Sequence, residues 1–217
     1  MTQRIIPALL SQSLTQLRSD VRSLHFAHEL QIDLVDGKYV PFAAWPYEPA
    51  GDPAEIAPYL ANHSIEVDLM VKEQLTAAKR WAACGAETII FHAAGVTPTE
   101  VANFADQHTE VGIAVALTND IPLAELEPYI PLIERVQLMG IAEIGAQGMP
   151  FDERVLERIK NIRKQYPDLT ISIDGSMNEE TITQTRQAGA DRLVVGSALL
   201  QATDREAQFA TLNALAQ

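Results

Sequence analysis

Short runs rich in Ile, Val, Leu and Ala recur along the chain at 4–10, 30–35, 65–71, 88–92, 112–117, 135–139, 170–173 and 192–195. Apolar runs this short, set between turn-forming residues, predict buried strands. Longer stretches with helical spacing separate them at 14–27, 53–62, 75–84, 98–108, 123–129, 151–166, 178–188 and 205–216. Several of these carry helix-end chemistry. Thr97-Pro98-Thr99-Glu100 offers a capping Thr, a Pro in the first turn and a Glu three residues on, while Asn178 precedes Glu179 and Glu180 at another helix start. Gly85 and Gly189 stand where a helix must stop and release the chain into the next strand.

Eight strands alternating with eight helices imply a parallel sheet, because each crossover returns the chain to the same end. So many units in so few residues favour closure, and the expected class is α/β, a single (β/α)8 TIM barrel spanning 1–217 as one domain without a linker. Neither a Gly-x-Gly-x-x-Gly nor a Gly-x-x-x-x-Gly-Lys-Ser/Thr loop follows a strand, which removes support for dinucleotide and P-loop chemistry. In a barrel, chemistry gathers at the C-terminal ends of the strands.

Acids stand at those ends. Side chains alternate along a strand, so Gln31, Asp33 and Val35 share a face, as do Asp68 and Met70, and Asp174 closes the seventh strand. Asp68 lies in an otherwise apolar strand, where an unpaired carboxylate costs several kcal/mol. It is either a pocket or metal-ligand carboxylate converging with Asp33 and Asp174, or the partner of a loop, Lys72 or Arg80. Strands two and seven face each other across the barrel mouth. Two carboxylates so placed suit removal of a proton from a carbon beside a carbonyl and its return on the opposite face, inverting that carbon. Their pKa values must be pushed apart for one to be ionised while the other holds a proton.

Gly175-Ser176 and Gly196-Ser197 follow strands seven and eight, where small residues let backbone amides approach an anion, a phosphate above all. The glycine-bearing segment 140–150 is a lid over a ligand or a plain connection. His92 reads as a hydrogen-bonded structural residue more than a ligand, and His25, His28, His63 and His108 lack metal-ligand spacing. Trp45 and Tyr47 either cover the pocket or pack at a subunit interface, and Trp81 packs a helix onto the barrel.

Charge narrows the partners. With 16 Lys and Arg against 29 Asp and Glu the formal net charge is −13, so nucleic acid and anionic membrane are poor partners. The single cysteine, Cys84, excludes an internal disulfide and a cysteine-rich zinc site. No secretory signal or run long enough to cross a bilayer stands out, and the expected location is the cytoplasm.

The segment from Ile32 to Pro41 resembles the Asp-x-Met-Asp-Gly-x-Phe-Val-Pro signature of the ribulose-phosphate 3-epimerase family. Val67-Asp68-Leu69-Met70-Val71 is similar to its Val-His-Leu-Met segment, Ile173-Asp174-Gly175 to its Val-Asp-Gly-Gly, and Pro7 to Ser11 to its first strand. Ala188-Gly189-Ala190-Asp191 leading into Val195-Gly196-Ser197-Ala198 extends the resemblance over nearly the whole chain. The resemblance implies an isomerase that epimerises a ketose phosphate at C3 through an enediolate, with Asp33 and Asp174 as the acid/base pair. It implies substrate and phosphate binding by Ser11, Met70, Gly145, Gln147, Gly148, Gly175, Ser176, Gly196 and Ser197. The family holds a divalent metal between two aspartates and two histidines, whereas here both histidine positions differ, as Gln31 and Asp68. Gln31, Asp33, Asp68 and Asp174 form the corresponding set, whose oxygens suit magnesium or manganese better than zinc, if a metal is bound at all. Ala8 replaces a substrate-binding Ser, Val35 a Met, and the family's Asn-Pro-Gly-Phe-Gly-Gly lid is absent. A non-catalytic sugar-phosphate-binding relative is the alternative. A decarboxylase on the same barrel is disfavoured, since Asp68-Leu69-Met70 lacks the Lys of an Asp-x-Lys-x-x-Asp strand. The family resemblance also implies a homo-oligomer.

Overall fold

The computed structural model describes residues 4–146 and 148–217. Eight parallel strands, β1 (Ile5–Leu9), β2 (Glu29–Val35), β3 (Ser64–Met70), β4 (Thr88–His92), β5 (Gly112–Leu117), β6 (Arg135–Met139), β7 (Thr170–Asp174) and β8 (Arg192–Val195), pair in sequence order. β8 pairs back to β1 through Ile5–Leu193 and Pro7–Val195, which closes the (β/α)8 TIM barrel expected from the sequence. Around it run α1 (Leu14–Ser23), α2 (Ala57–Leu60), α3 (Gln74–Ala83), α4 (Pro98–Gln107), α5 (Arg154–Gln165), α6 (Glu179–Ala188), α7 (Ser197–Leu200) and α8 (Arg205–Leu215).

Two of the expected helices take another form, and proline accounts for both. The stretch 53–62 divides into a 3-10 turn, Pro53–Glu55, and the single turn α2, because Pro58 has no N–H to carry a continuous ladder. At Leu123–Leu132 the chain winds as a 3-10 helix instead of an α-helix, with Pro128 and Pro131 inside it. Unexpected elements are α7, one turn that starts immediately after Gly196, and a 3-10 turn at Ala93–Gly95 after β4.

Alternation divides each strand between two environments. Outward residues such as Ile32, Leu34, Val67, Leu69, Phe91, Val136, Ile171 and Leu193 join Leu17, Val21, Trp81, Phe104, Ile159, Ile182 and Leu212 of the helices in one apolar layer. Trp45, expected over the pocket or at an interface, is buried in this layer with its ring edge-on to Trp81 at 6.5 Å.

Inward residues are unusually polar for a barrel interior, which branched aliphatic side chains commonly fill. The floor is an ion network: Arg192 bridges Glu29 and, at 2.7 Å, Glu66, and Arg135 pairs with Glu66 from the opposite wall. Above it come Gln31 and Gln137, and above those, toward the strand ends, Asp33, Asp68, His92 and Asp174, all buried. Ala114 and Ala116 of β5 are small, which leaves this polar column its room.

Two loop features fix the barrel mouth. The Asp36 carboxylate accepts hydrogen bonds from the backbone N–H groups of Lys38, Tyr39 and Lys72, each at 2.9 Å, and so ties the β2 exit to the β3 exit. Partial burial pushes its carboxyl up, but these N–H donors outweigh that and hold it below the usual carboxylate range. Asp36→Ala is expected to cost about 2 kcal/mol in urea unfolding, since charge-assisted bonds are lost while the donors remain. Gly175 adopts φ +104°, and a Cβ there would lie 2.7 Å from Ile141 Cγ1. Gly175→Ala is therefore expected to destabilise by about 2 kcal/mol in the same assay and to displace Ile141 from the pocket wall.

Candidate active site

The pocket opens at the C-terminal ends of the strands and encloses about 60 Å³ of cavity. Asp33 and Asp174 stand at its base, and Met70, Met139 and Met177 supply apolar wall. Gly175, Ser176, Gly196 and Ser197 line one side, and Gly145, Ala146, Gly148 and Met149 of the long β6 loop line another. Gly145 and Gly148 hold φ +92° and +80°, backbone that favours glycine.

One side chain brings the two strand-end acids together. Gln31 Nε2 donates to Asp33 Oδ1 at 2.8 Å and to Asp174 Oδ2 at 3.2 Å, so carboxyls 141 positions apart in sequence share one amide. Asp68 completes a triad in which one oxygen of each carboxyl lies within 4.8 Å of the others. It pairs with neither Lys72 nor Arg80. His92 Nε2 lies 2.7 Å from Asp68 Oδ1, and Gln137 Nε2 donates to Asp68 Oδ2 at 3.1 Å and to Asp174 Oδ2 at 3.4 Å. Gln74 of α3 clamps the His92 backbone, accepting its N–H at 2.9 Å and donating to its carbonyl at 3.2 Å, and the Tyr39 ring packs edge-on against the imidazole.

Burial dominates the electrostatics. It pushes the Asp33 carboxyl up to about 7, with the Asp68 charge adding to the rise and the Gln31 amide opposing it. Asp174 is driven well above the ordinary carboxylate range by burial and then by the charges of Asp33 and Asp68. Close carboxylates this deeply buried resist ionising together at neutral pH unless positive charge arrives, so the site retains a proton or accepts a cation.

The donor set fits a divalent cation of the hard, oxygen-preferring kind. Three carboxylates converge, and the buried amide oxygens of Gln31 and Gln137 have no hydrogen-bond partner among the described residues. Asp33, Asp68, Asp174 and Gln31 are the residues that would hold it.

Other expected residues divide clearly. Asp33, Met70, Gly145, Gly148, Asp174, Gly175, Ser176, Gly196 and Ser197 reach the pocket, and Gln31 and Asp68 lie beneath it. Ser11 does not line the pocket: it is buried at the β1 exit, where its carbonyl accepts the Trp45 N–H. Gln147 lies outside the described residues. The Ser176 hydroxyl donates to the Met149 carbonyl and its own carbonyl accepts from Thr181 Oγ1 and Asn178 Nδ2, which leaves its backbone N–H as the group to meet a ligand. Neither Gln137 nor the His92–Asp68 contact is among the expected site features. A signal for Gln137 is nonetheless present, since polar Arg135 and Gln137 share a face in an otherwise apolar strand.

A family model described as the ribulose-phosphate 3 epimerase family matches residues 4–200. The chain is 30% identical over 218 aligned positions to the ribulose-phosphate 3-epimerase of Mycobacterium bovis, covering 96% of this chain and 90% of that protein. It is 26% identical over 210 positions to the cytoplasmic isoform of ribulose-phosphate 3-epimerase from Oryza sativa subsp. japonica, covering 93% of this chain and 89% of that one. Among solved structures, the 3-keto-L-gulonate-6-phosphate decarboxylase of Vibrio cholerae superposes with a TM-score of 0.74 at 16% identity, over 100% of this chain and 98% of the other, a likeness of fold.

Proposed function

The chain belongs to the ribulose-phosphate 3-epimerase family, and we propose that it inverts C3 of a ketopentose phosphate or a closely related ketose phosphate, with Asp33 and Asp174 exchanging the proton. The observation that carries this reading is the shared Gln31 amide, which holds both carboxyls at the base of one pocket. One carboxylate removes the C3 proton, the electrons pass into the neighbouring carbonyl as an enediolate, and the other carboxyl returns a proton to the opposite face. Elevated pKa values serve the second step, because a carboxyl that keeps its proton near neutral pH is a competent acid there. A divalent cation, when bound, would supply positive charge against the oxyanion of the enediolate.

Gly175, Ser176, Gly196 and Ser197 offer backbone N–H groups to the phosphate, and the methionine walls exclude water from the reacting carbon. Met70, Gly145 and Gly148 bound the remainder of the ligand. The V. cholerae decarboxylase is named for a sugar phosphate handled on the same fold, which is consistent with a ligand of that class here. A cytoplasmic setting agrees with the name of the rice relative, and no helix among the described residues is long and apolar enough to cross a membrane.

The test is solvent exchange. With magnesium or manganese present, ribulose 5-phosphate incubated in D2O is expected to take up deuterium at C3 and to yield the epimer. Saturable binding of the sugar phosphate with neither exchange nor inversion would assign the alternative, a non-catalytic binding protein.

A further inference from the structure

We propose that Gln137, together with Gln31, is a reversible part of an oxygen-only cation cradle: each amide donates its N–H to the carboxylates when no cation is held, and turns its oxygen toward the ion when one is. This deepens the proposed function and rests on it only for the reason a cation is needed. The starting observation is a mismatch within each amide. Gln31 and Gln137 are fully buried, both point Nε2 at the triad, and both leave Oε1 without a partner among the described residues. An unmet buried amide oxygen costs about 1–3 kcal/mol. The orientation adopted therefore satisfies the carboxylates at the expense of the amides.

The balance reverses with the charge of the triad. Facing bare carboxylates, an amide nitrogen is attracted and an amide oxygen repelled. Once a divalent cation neutralises them, the nitrogen loses its advantage and the oxygen becomes a ligand of the preferred hard type. Turning the terminal amide by half a rotation exchanges two atoms of nearly equal size, so the packed interior need not move. Both nitrogens already converge on the same atom, Asp174 Oδ2, at 3.2 Å from Gln31 and 3.4 Å from Gln137. Ser172, the register partner of Gln137 on β7, carries a buried hydroxyl also lacking a partner among the described residues.

The roles separate by charge and donor. Gln137→Leu removes both donor and acceptor, whereas Gln137→Glu keeps an oxygen and removes the donor. Each variant and the parent, stripped with EDTA, are titrated with Mn2+ and the free ion is followed by electron paramagnetic resonance. Gln137→Leu is expected to weaken Mn2+ binding by about tenfold or more, and Gln137→Glu to match or exceed the parent. In parallel, Mn2+ is expected to raise the unfolding temperature of Gln137→Glu more than that of the parent, which reads the role even if Gln137→Leu does not fold. Unchanged affinity in Gln137→Leu, or equal weakening in both variants, overturns the proposal, as does a parent that fails to bind Mn2+. Because these readouts need no sugar phosphate, Mn2+ effects without deuterium exchange would sink the epimerase reading and spare this one, and the reverse result would do the opposite.

Discussion

Asp174→Asn is expected to lower the rate of C3 inversion by roughly 10³-fold, and Asp33→Asn by a similar factor, since a positioned acid or base contributes about 10²–10⁴. Asn keeps the shape of Asp and can still meet the Gln31 amide that now spans the two carboxyls at 2.8 and 3.2 Å, so folding should survive and the loss should be chemical. The two losses differ in kind. If the carboxyls work from opposite faces, removing the one that abstracts a proton from a given epimer stops exchange of that epimer. Removing the other leaves exchange running while inversion fails. Each variant is therefore expected to wash deuterium into one epimer only, the two variants choosing opposite epimers, as followed by proton magnetic resonance in D2O. Loss of exchange from both epimers in both variants would mean that the carboxyls act as one unit and not as two facing bases.

Much of this arrangement is legible along the chain because it rests on strand ends. Asp33 and Asp174 stand where an apolar run meets Gly-rich sequence, and period-two alternation is enough to place Gln31 beside Asp33. Closure is legible as well, from eight alternating units. What stays hidden depends on contacts between distant strands. For Asp68 the sequence offers Lys72 or Arg80 as local partners, whereas its actual partners, His92 from β4 and Gln137 from β6, come together only once the barrel closes. Gln137 is masked inside Arg-Val-Gln-Leu-Met because the run is apolar enough to count as a strand, though its inward face is polar. Ser11, a ligand contact implied by the family resemblance, does not line the pocket, and its backbone carbonyl at the β1 exit accepts the Trp45 N–H. The α7 turn leaves no trace in the pattern because four residues after a glycine carry no periodicity.

The cost of gathering three acids should appear as a stability that depends on pH. Asp33 carries an unfolded-state pKa of 3.8 and a folded-state pKa of about 7, so between these values the native protein holds a proton that the unfolded chain has released. Stability falls with rising pH wherever the native state binds more protons. The contribution is most favourable at and below pH 4, is lost as pH climbs toward 7, and stands as a full penalty above it. At about 1.4 kcal/mol per unit the shift corresponds to on the order of 4 kcal/mol. Asn cannot ionise and avoids that penalty, while it gives up the charge-assisted character of the Gln31 bond, worth about 2 kcal/mol. In EDTA-treated protein, Asp33→Asn is thus expected to unfold near the parent temperature at pH 5 and about 4–8 °C above it at pH 8, for roughly 2 kcal/mol in a chain of this size. Saturating Mn2+ should narrow the gap at pH 8 by stabilising the parent, whose carboxylate the ion compensates. A gap that is the same at both pH values would show that Asp33 ionises without penalty in the folded protein. The strand-end acids would then be an ordinary solvated pair, and the pocket would lack the raised carboxyl pKa that keeping a proton to return near neutral pH requires.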